Sequence, residues 1–268
     1  KLMPFTWNYI YKNGKLFGDS LNNSNFSLTN NMIFSYPGYN EILTGNADPT
    51  IKSNAKIYNK NVTVLEKLNQ TNNYKNKIAA FASWDVFPYI INDKRSGIPV
   101  NAGYMEELNI KTPVVDYINK NQKRTPVIWE NVRLDVYTHN LALEYIKKKK
   151  PKLVYIAYGE TDDFAHGEKY DFYINSLNYT DNMIAELWGY VQSNKFYKDN
   201  TYFIITTDHG RGLMEDWAGH GSSKASWLAI LGPNIEKTGL VEGEFFTNQI
   251  AETIMQISKK SKTKIPTD

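Results

Sequence analysis

Cysteine is absent from the 268 residues. That excludes disulfides, thiolate metal sites and thiol nucleophiles. At this length none is needed, because one large α/β domain or two small ones can bury most of the chain's surface. Long hydrophobic runs are also missing, and nothing approaches the ~20 apolar residues that a membrane span requires. The chain opens on Lys1-Leu2-Met3-Pro4 without the apolar core of a signal peptide. Neither sign of charge dominates: 31 basic against 28 acidic residues give a net charge of +3. That balance argues against a nucleic-acid partner. The run Lys147–Lys150 closes a helical pattern, where lysines complement the helix dipole. Histidine is scarce, with four in all, and three of the four belong to one pattern.

That pattern reads Asp162-x-x-x-His166, then Asp208-His209, then Gly219-His220-Gly221. The apolar runs Leu153–Tyr158 and Tyr202–Thr207 lead directly into its first two parts. Carboxylates and imidazoles at the carboxyl ends of strands are where an open α/β sheet places ligand chemistry. Two side chains four residues apart reach one ion from a helical turn or a tight loop. Adjacent ligands such as Asp208 and His209 diverge toward different neighbours, and the glycines around His220 let the backbone approach closely. Asp, His, Asp, His, His is a ligand supply suited to a pair of divalent metals. The pattern points to a metal-dependent hydrolase.

Short apolar runs predict strands at Ile78–Ser83, Leu153–Tyr158, Tyr202–Thr207 and Trp227–Leu231, with a weaker one at Pro126–Trp129. Helical patterns lie at Pro4–Lys12, Tyr39–Leu43, Val62–Leu68, Leu134–Lys148, Phe172–Gln192 and Thr247–Ile257. The alternation predicts a mostly parallel sheet covered by helices on both faces. One domain spans 1–258, and the polar, Gly/Pro-marked stretch 84–125 is expected as a cap or insertion. A basic, unpatterned tail covers 259–268.

A hydrolase also needs a nucleophile, and the segment from Phe34 to Gly45 offers one. Pro37 suits the first turn of a helix and Gly45 its end, which places Ser35 at or beside the N-cap. Free backbone N–H groups there favour an anion such as phosphate. A serine hydroxyl is a weak nucleophile until a metal or a base activates it. The plainer reading is that Ser35 only caps the helix.

On these residues the chain resembles the alkaline phosphatase superfamily, and within it the nucleotide pyrophosphatase/phosphodiesterase branch. Ser35-Tyr36-Pro37 followed by a short helix ending in Thr44-Gly45 is similar to that branch's nucleophile segment. Asp162/His166, Asp208-His209-Gly210 and His220 match its metal motifs. The resemblance implies a three-layer αβα sandwich and two divalent ions, zinc first and manganese second. One ion would be held by Asp162, His166 and His220, the other by Asp208 and His209, with Ser35 between them. It also implies an Asn that hydrogen-bonds the transferred group; Asn54 is the candidate, about two residues short of the expected spacing. The superfamily's first strand, ending in an Asp for the second ion, has no counterpart ahead of Pro4. A truncated chain is the expected reason, because losing a central strand exposes two sheet edges.

The implied activity is hydrolysis of a phosphodiester or phosphomonoester through a phosphoseryl intermediate, on a small-molecule substrate such as a nucleotide. Periplasmic or secreted placement follows from the same resemblance. Sulfatase chemistry is disfavoured, since Ser35-Tyr36-Pro37-Gly38-Tyr39 lacks the Ser-Arg end of the sulfatase motif. A phosphoglycerate mutase is disfavoured because there is no room for its inserted domain. A catalytically incomplete scaffold that binds a metal or a glycan is the alternative from another class. Arg95, Arg133 and Arg211 are the cations a monoesterase would use, and Arg211, two residues after His209, is the first to test.

Overall fold

The structure, a computed structural model, describes residues 2–221 and 224–260. A π-helical turn, Thr6–Ile10, runs into α1 (Tyr11–Asn13), followed by β1 (Lys15–Phe17) and β2 (Ser24–Ser27). Helices α2 (Ser35–Thr44) and α3 (Val64–Asn69) precede β3 (Ile78–Ala82). Next come α4 (Phe87–Ile91), α5 (Asp93–Ser96), β4 (Val100–Ala102), α6 (Pro113–Asn121) and α7 (Asp135–Lys149). β5 (Leu153–Ala157), α8 (Glu160–His166), α9 (Tyr170–Ser193) and β6 (Phe203–Thr206) follow. β7 (Leu228–Leu231), β8 (Gly239–Leu240), β9 (Gly243–Phe246) and α10 (Gln249–Lys260) complete the order. Among the described residues no helix is long and apolar enough to cross a membrane.

The alternation of side chains along β3 builds the layers. Ile78, Ala80 and Ala82 join a core with Leu43 of α2, Leu65 of α3 and Ile250 of α10. Ala79 and Phe81 point the other way, into a second core with Val115 of α6 and Leu141 of α7. Helices therefore cover both faces of this sheet, and the fold is α/β in three layers. β3 lies between β4 and β5, parallel to both. A second sheet, ordered β6-β7-β1-β8, is mixed: β7 runs antiparallel to both of its neighbours, and β1 and β8 are parallel. β2 and β9 form a separate parallel pair.

The four stronger strand predictions match β3, β5, β6 and β7. Pro126–Trp129 forms no strand; its loop is fastened by the Tyr104 hydroxyl, which donates to the carbonyls of Trp129 and Val132. The stretch 84–125, expected as a cap, supplies the sheet strand β4 and helix α6, which packs on α7. Of the expected basic tail, positions 259 and 260 close α10, and 261–268 lie outside the described residues.

The two sheets face each other at β5 and β6, and among the described residues neither strand has a partner on the facing edge. A cleft of about 1570 Å³ runs between them. β3 is fully buried, whereas β5 and β6 are mostly half-buried although their sequences are as apolar as a central strand's. The carboxyl ends of both strands open at the same end of this cleft, and the chemistry gathers there.

Candidate functional site

Each side chain of the pattern leaves an element end. β5 passes through Tyr158 and Gly159 into α8, which carries Asp162 and His166. β6 passes through Thr207 to Asp208 and His209. The start of α8 is fixed by reciprocal capping: the Asp135 carboxylate accepts from the Gly159 and Glu160 N–H groups at 2.8 and 3.1 Å. Glu160 in turn accepts from the Asp135 N–H at 2.8 Å. Asp135 also accepts from the Ser83 hydroxyl at 2.5 Å. Burial, with Glu160 nearby, pushes the Asp135 carboxyl up to about 7.

The pattern residues converge. His166 Nε2 lies 3.0 Å from His220 Nε2 and 3.3 Å from Asp162 Oδ2. His209 Nε2 lies 3.3 Å from Asp208 Oδ2 and 3.8 Å from Asp162 Oδ1. His220 Nε2 is 3.9 Å from Asp162 Oδ1, and the His209 and His220 rings are 4.0 Å apart. The structure thus brings all five together in one compact cluster. His209, expected in a separate group with Asp208, also neighbours Asp162 and His220, and those three have ligating atoms within 4.8 Å of one another.

The electrostatics show what the cluster is suited to hold. Burial and the neighbouring His209 pull His220 down to about 4, so its imidazole is neutral with a lone pair available. Burial alone would raise Asp162, but the His166 hydrogen bond, His209 and Arg211 outweigh it and hold that carboxyl at about 2. Burial pushes Asp208 up to about 6, with His209 only partly offsetting it. The His209 Nδ1 proton has an acceptor in the Gly210 carbonyl at 2.9 Å, which turns Nε2 inward. Imidazole nitrogens and carboxylate oxygens meet at the centre. A divalent cation fits that donor set.

Ser35 stands beside the cluster. It is the first residue of α2, is buried, and its Oγ lies 3.4 Å from His209 Nε2. Its side chain caps nothing: Phe34 is the N-cap residue, and no side chain of that residue closes the helix. That leaves the hydroxyl available for chemistry. Instead, Asn54 closes the helix by accepting from the Tyr36 N–H at 2.9 Å, which leaves its amide NH₂ to donate next to Ser35. Asn54 is therefore at the site in spite of its short spacing. Gly45 ends α2 at φ +79°, as its position predicts.

Two contributions were hidden in the sequence. Gly38, in the first turn and a half of α2, lies against Asp208, and a Cβ there would collide with the Asp208 carbonyl oxygen. The Gly38→Ala variant is expected to fold, to displace Ser35 from His209, and to lose roughly 10²-fold in kcat; an unchanged kcat would show that this contact does not set the geometry. Glu41 is fully buried and accepts from the N–H groups of Thr29 and Asn30 at 2.8 and 2.9 Å and from the Thr247 hydroxyl. It ties the loop leading to Ser35 onto α2.

All three arginines are committed to protein partners. Arg95 forms two hydrogen bonds to Glu66, at 2.8 and 2.9 Å. Arg133 is fully buried and donates to Asn101 and the Ala82 carbonyl. Arg211 does sit at the cluster, where it donates to the Asp162 carboxylate and carbonyl and to the Ala218 carbonyl at 2.9 Å. It clamps the loop carrying His220 onto α8. Lys56 lines the cleft close to Ser35 and Asn54 in the chain, and it is paired with Asp85 at 2.6 Å.

An α/β sandwich with carboxylates and imidazoles at its strand ends, and a serine at the start of a helix beside them, has the alkaline phosphatase-like fold. The chain belongs to the sulfatase family, whose model matches residues 99–253. The nucleophile segment lies outside that match. Three solved structures show the same fold. Lipoteichoic acid synthase LtaP from Listeria monocytogenes is 13% identical, TM-score 0.66, over 96% of this chain and 66% of its own. Phosphonate monoester hydrolase from Silicibacter pomeroyi is 12% identical, TM-score 0.58, over 96% and 68%. Alkaline phosphatase from the Antarctic bacterium TAB5 is 15% identical, TM-score 0.55, over 96% and 94%. The chain thus spans just under two thirds of the Listeria synthase. No curated protein sequence matches it. These likenesses do not single out the phosphodiesterase branch.

Proposed function

We propose that the chain hydrolyses singly charged esters, a phosphodiester or a sulfate ester, with Ser35 as nucleophile beside a divalent-cation site. The observation that carries this reading is the Ser35 hydroxyl, free of any capping role and 3.4 Å from His209 Nε2 within the five-residue cluster. Asp162, His166 and His220 would hold a cation, with Asp208 and His209 on the Ser35 side. When bound, such an ion, zinc or manganese, would favour the serine alkoxide and offset charge on the transferred group. Ser35 Oγ forms the new bond to phosphorus or sulfur as the ester oxygen leaves. With His209 Nε2 facing the ion, the hydroxyl proton leaves to water in the cleft. Asn54 donates to an oxygen of the transferred group, and water then cleaves the seryl ester.

The charge of the substrate follows from the cations. Arg211 is neutralised by Asp162 and Lys56 by Asp85, so among the described residues neither of these two cations brings uncompensated positive charge for a dianionic monoester. A further carboxylate, delivered by a strand seated between β5 and β6, would complete a second cation site as the resemblance implies. The test is hydrolysis of bis(p-nitrophenyl) phosphate, p-nitrophenyl sulfate and p-nitrophenyl phosphate with zinc or manganese. Either of the first two should exceed the monoester by at least about tenfold in kcat/KM. Equal or greater use of the monoester would refute the charge argument, and no turnover of any of the three would refute the hydrolase.

A further inference from the structure

The end of the domain away from the cluster is crowded with lysines. Five of the six residues from Lys147 to Lys152 are lysine, and Lys75, Lys77, Lys195 and Lys198 come from two other segments. Folding brings the three segments together. The Lys152 N–H donates to the Lys77 carbonyl at 2.8 Å, and the Tyr197 hydroxyl donates to the Pro151 carbonyl at 3.2 Å. The Lys150 ammonium lies 5.8 Å from the centre of the Phe196 ring. Lys77 and Lys152 stand at the amino ends of β3 and β5, so this foot lies at the opposite end of the sheet from Asp162.

Helix capping accounts for only part of the charge. Lys147, Lys148 and Lys149 close α7 and complement its dipole. Lys77 and Lys152 lie outside any helix, and Lys195 and Lys198 come after α9 has ended. Against these lysines stand Glu144 and Asp199. Among the described residues, Lys147 alone of the group has an ion-pair partner, Glu144 at 2.9 Å. Lys152 donates to the neutral side chain of Asn73, and burial together with the charge of Lys77 pulls its ammonium below the usual lysine range. Like charges gathered without counter-charges attract an anion.

The chemistry of the foot selects among polyanions. It contains lysine and no arginine, so it offers mobile point charges rather than the planar forks that read phosphates one by one. Tyr74 and Tyr197 are buried and Phe196 lies beneath Lys150, which leaves no ring face for a nucleic-acid base to stack on. Among the described residues, none of the three segments carries an exposed large apolar side chain to enter hydrocarbon. Diffuse positive charge without stacking or insertion matches the headgroup plane of an anionic bilayer, where each lysine adds to the attraction.

We propose that this lysine foot docks the protein on the surface of an anionic lipid bilayer, with the cluster at the strand carboxyl ends turned toward water. The docking is independent of the hydrolase reading. It is tested by cosedimentation with phosphatidylcholine vesicles, with and without about 30% phosphatidylglycerol, at about 0.05 and about 0.5 M NaCl. Binding is expected to the anionic vesicles alone, and only at the lower salt. Joint replacement of Lys77, Lys148, Lys195 and Lys198 by glutamine should weaken it at least about thirtyfold. An equal loss of charge through Lys12, Lys120, Lys123 and Lys169, which lie outside the three segments, should weaken it less than about threefold. The orientation is read on the otherwise unsubstituted chain. Because cysteine is absent, a single fluorescent label can be placed through Asn200→Cys beside the foot or Leu213→Cys in the loop after β6. On anionic vesicles the emission of the first label should shift to the blue, and that of the second should stay. Equal binding to neutral vesicles, no binding to either, equal weakening in the two fourfold variants, or a shift of the second label overturns the proposal. So does tighter binding of double-stranded DNA than of the anionic vesicles at the same salt.

Discussion

Replacing Ser35 with alanine is expected to lower ester turnover by about 10³-fold or more while metal content stays at the wild-type level. The two halves of that expectation rest on different contacts. Turnover depends on Oγ, which Ala removes outright. The proposed metal ligands Asp162, His166 and His220 come from α8 and the loop after β6, and among the described residues the Ser35 side chain contacts His209. Folding should be little affected. The hydroxyl caps no helix, and the helix start is held by Asn54 on the Tyr36 N–H and by Glu41 on the loop ahead of it. The assay pairs turnover of the best ester found above with elemental analysis and near-ultraviolet circular dichroism. Normal turnover would remove Ser35 as the nucleophile. Loss of metal together with turnover would make Ser35 part of the ion's support, and the nucleophile would again be unassigned.

How far the sequence carried can be followed along the same residues. Asp162, His166, Asp208 and His209 were legible because each follows an apolar run that forms a strand, and a strand end is a fixed address in an α/β fold. Ser35 was legible through Pro37 and Gly45, which mark the two ends of α2. The minor strands were not. β1, β2, β4, β8 and β9 are two to four residues long, too short for a period. β2 finds its partner β9 more than two hundred residues away in the chain. The grouping of ligands was hidden for a related reason: His209 reaches His220 because Arg211 and the Gly212 N–H, which donates to the Gly219 carbonyl, fold the intervening loop back on itself. The pairing of Lys56 with Asp85 joins two loops that share no local pattern. Spacing predicts which element a residue sits on, and tertiary folding decides whom it meets.

Removing metal should destabilise the protein, and more at pH 7.5 than at pH 5. Burial holds the Asp208 carboxyl at about 6, above its value in an unfolded chain. A raised carboxyl makes the metal-free fold bind more protons than the unfolded chain between about pH 4 and 6, so stability falls as pH rises through that window. Asp163 and Asp135, both raised by burial to about 7, act in the same direction and extend the loss to about pH 7. His220, pulled down to about 4, acts oppositely: it withdraws stability as pH falls from about 6.5 to 4. A cation bound by Asp162 and His220 and facing Asp208 offsets the ionised carboxylate and uses the neutral imidazole, both of which prevail at pH 7.5. Chelation should therefore lower Tm by about 5–10 °C at pH 7.5 and by clearly less at pH 5. In His220→Ala the chelator should have little left to do at either pH, because that ligand is gone and the ion with it. Equal shifts at both pH values would mean that the ion does not sit against Asp208. An undiminished shift in His220→Ala would place it somewhere other than this cluster.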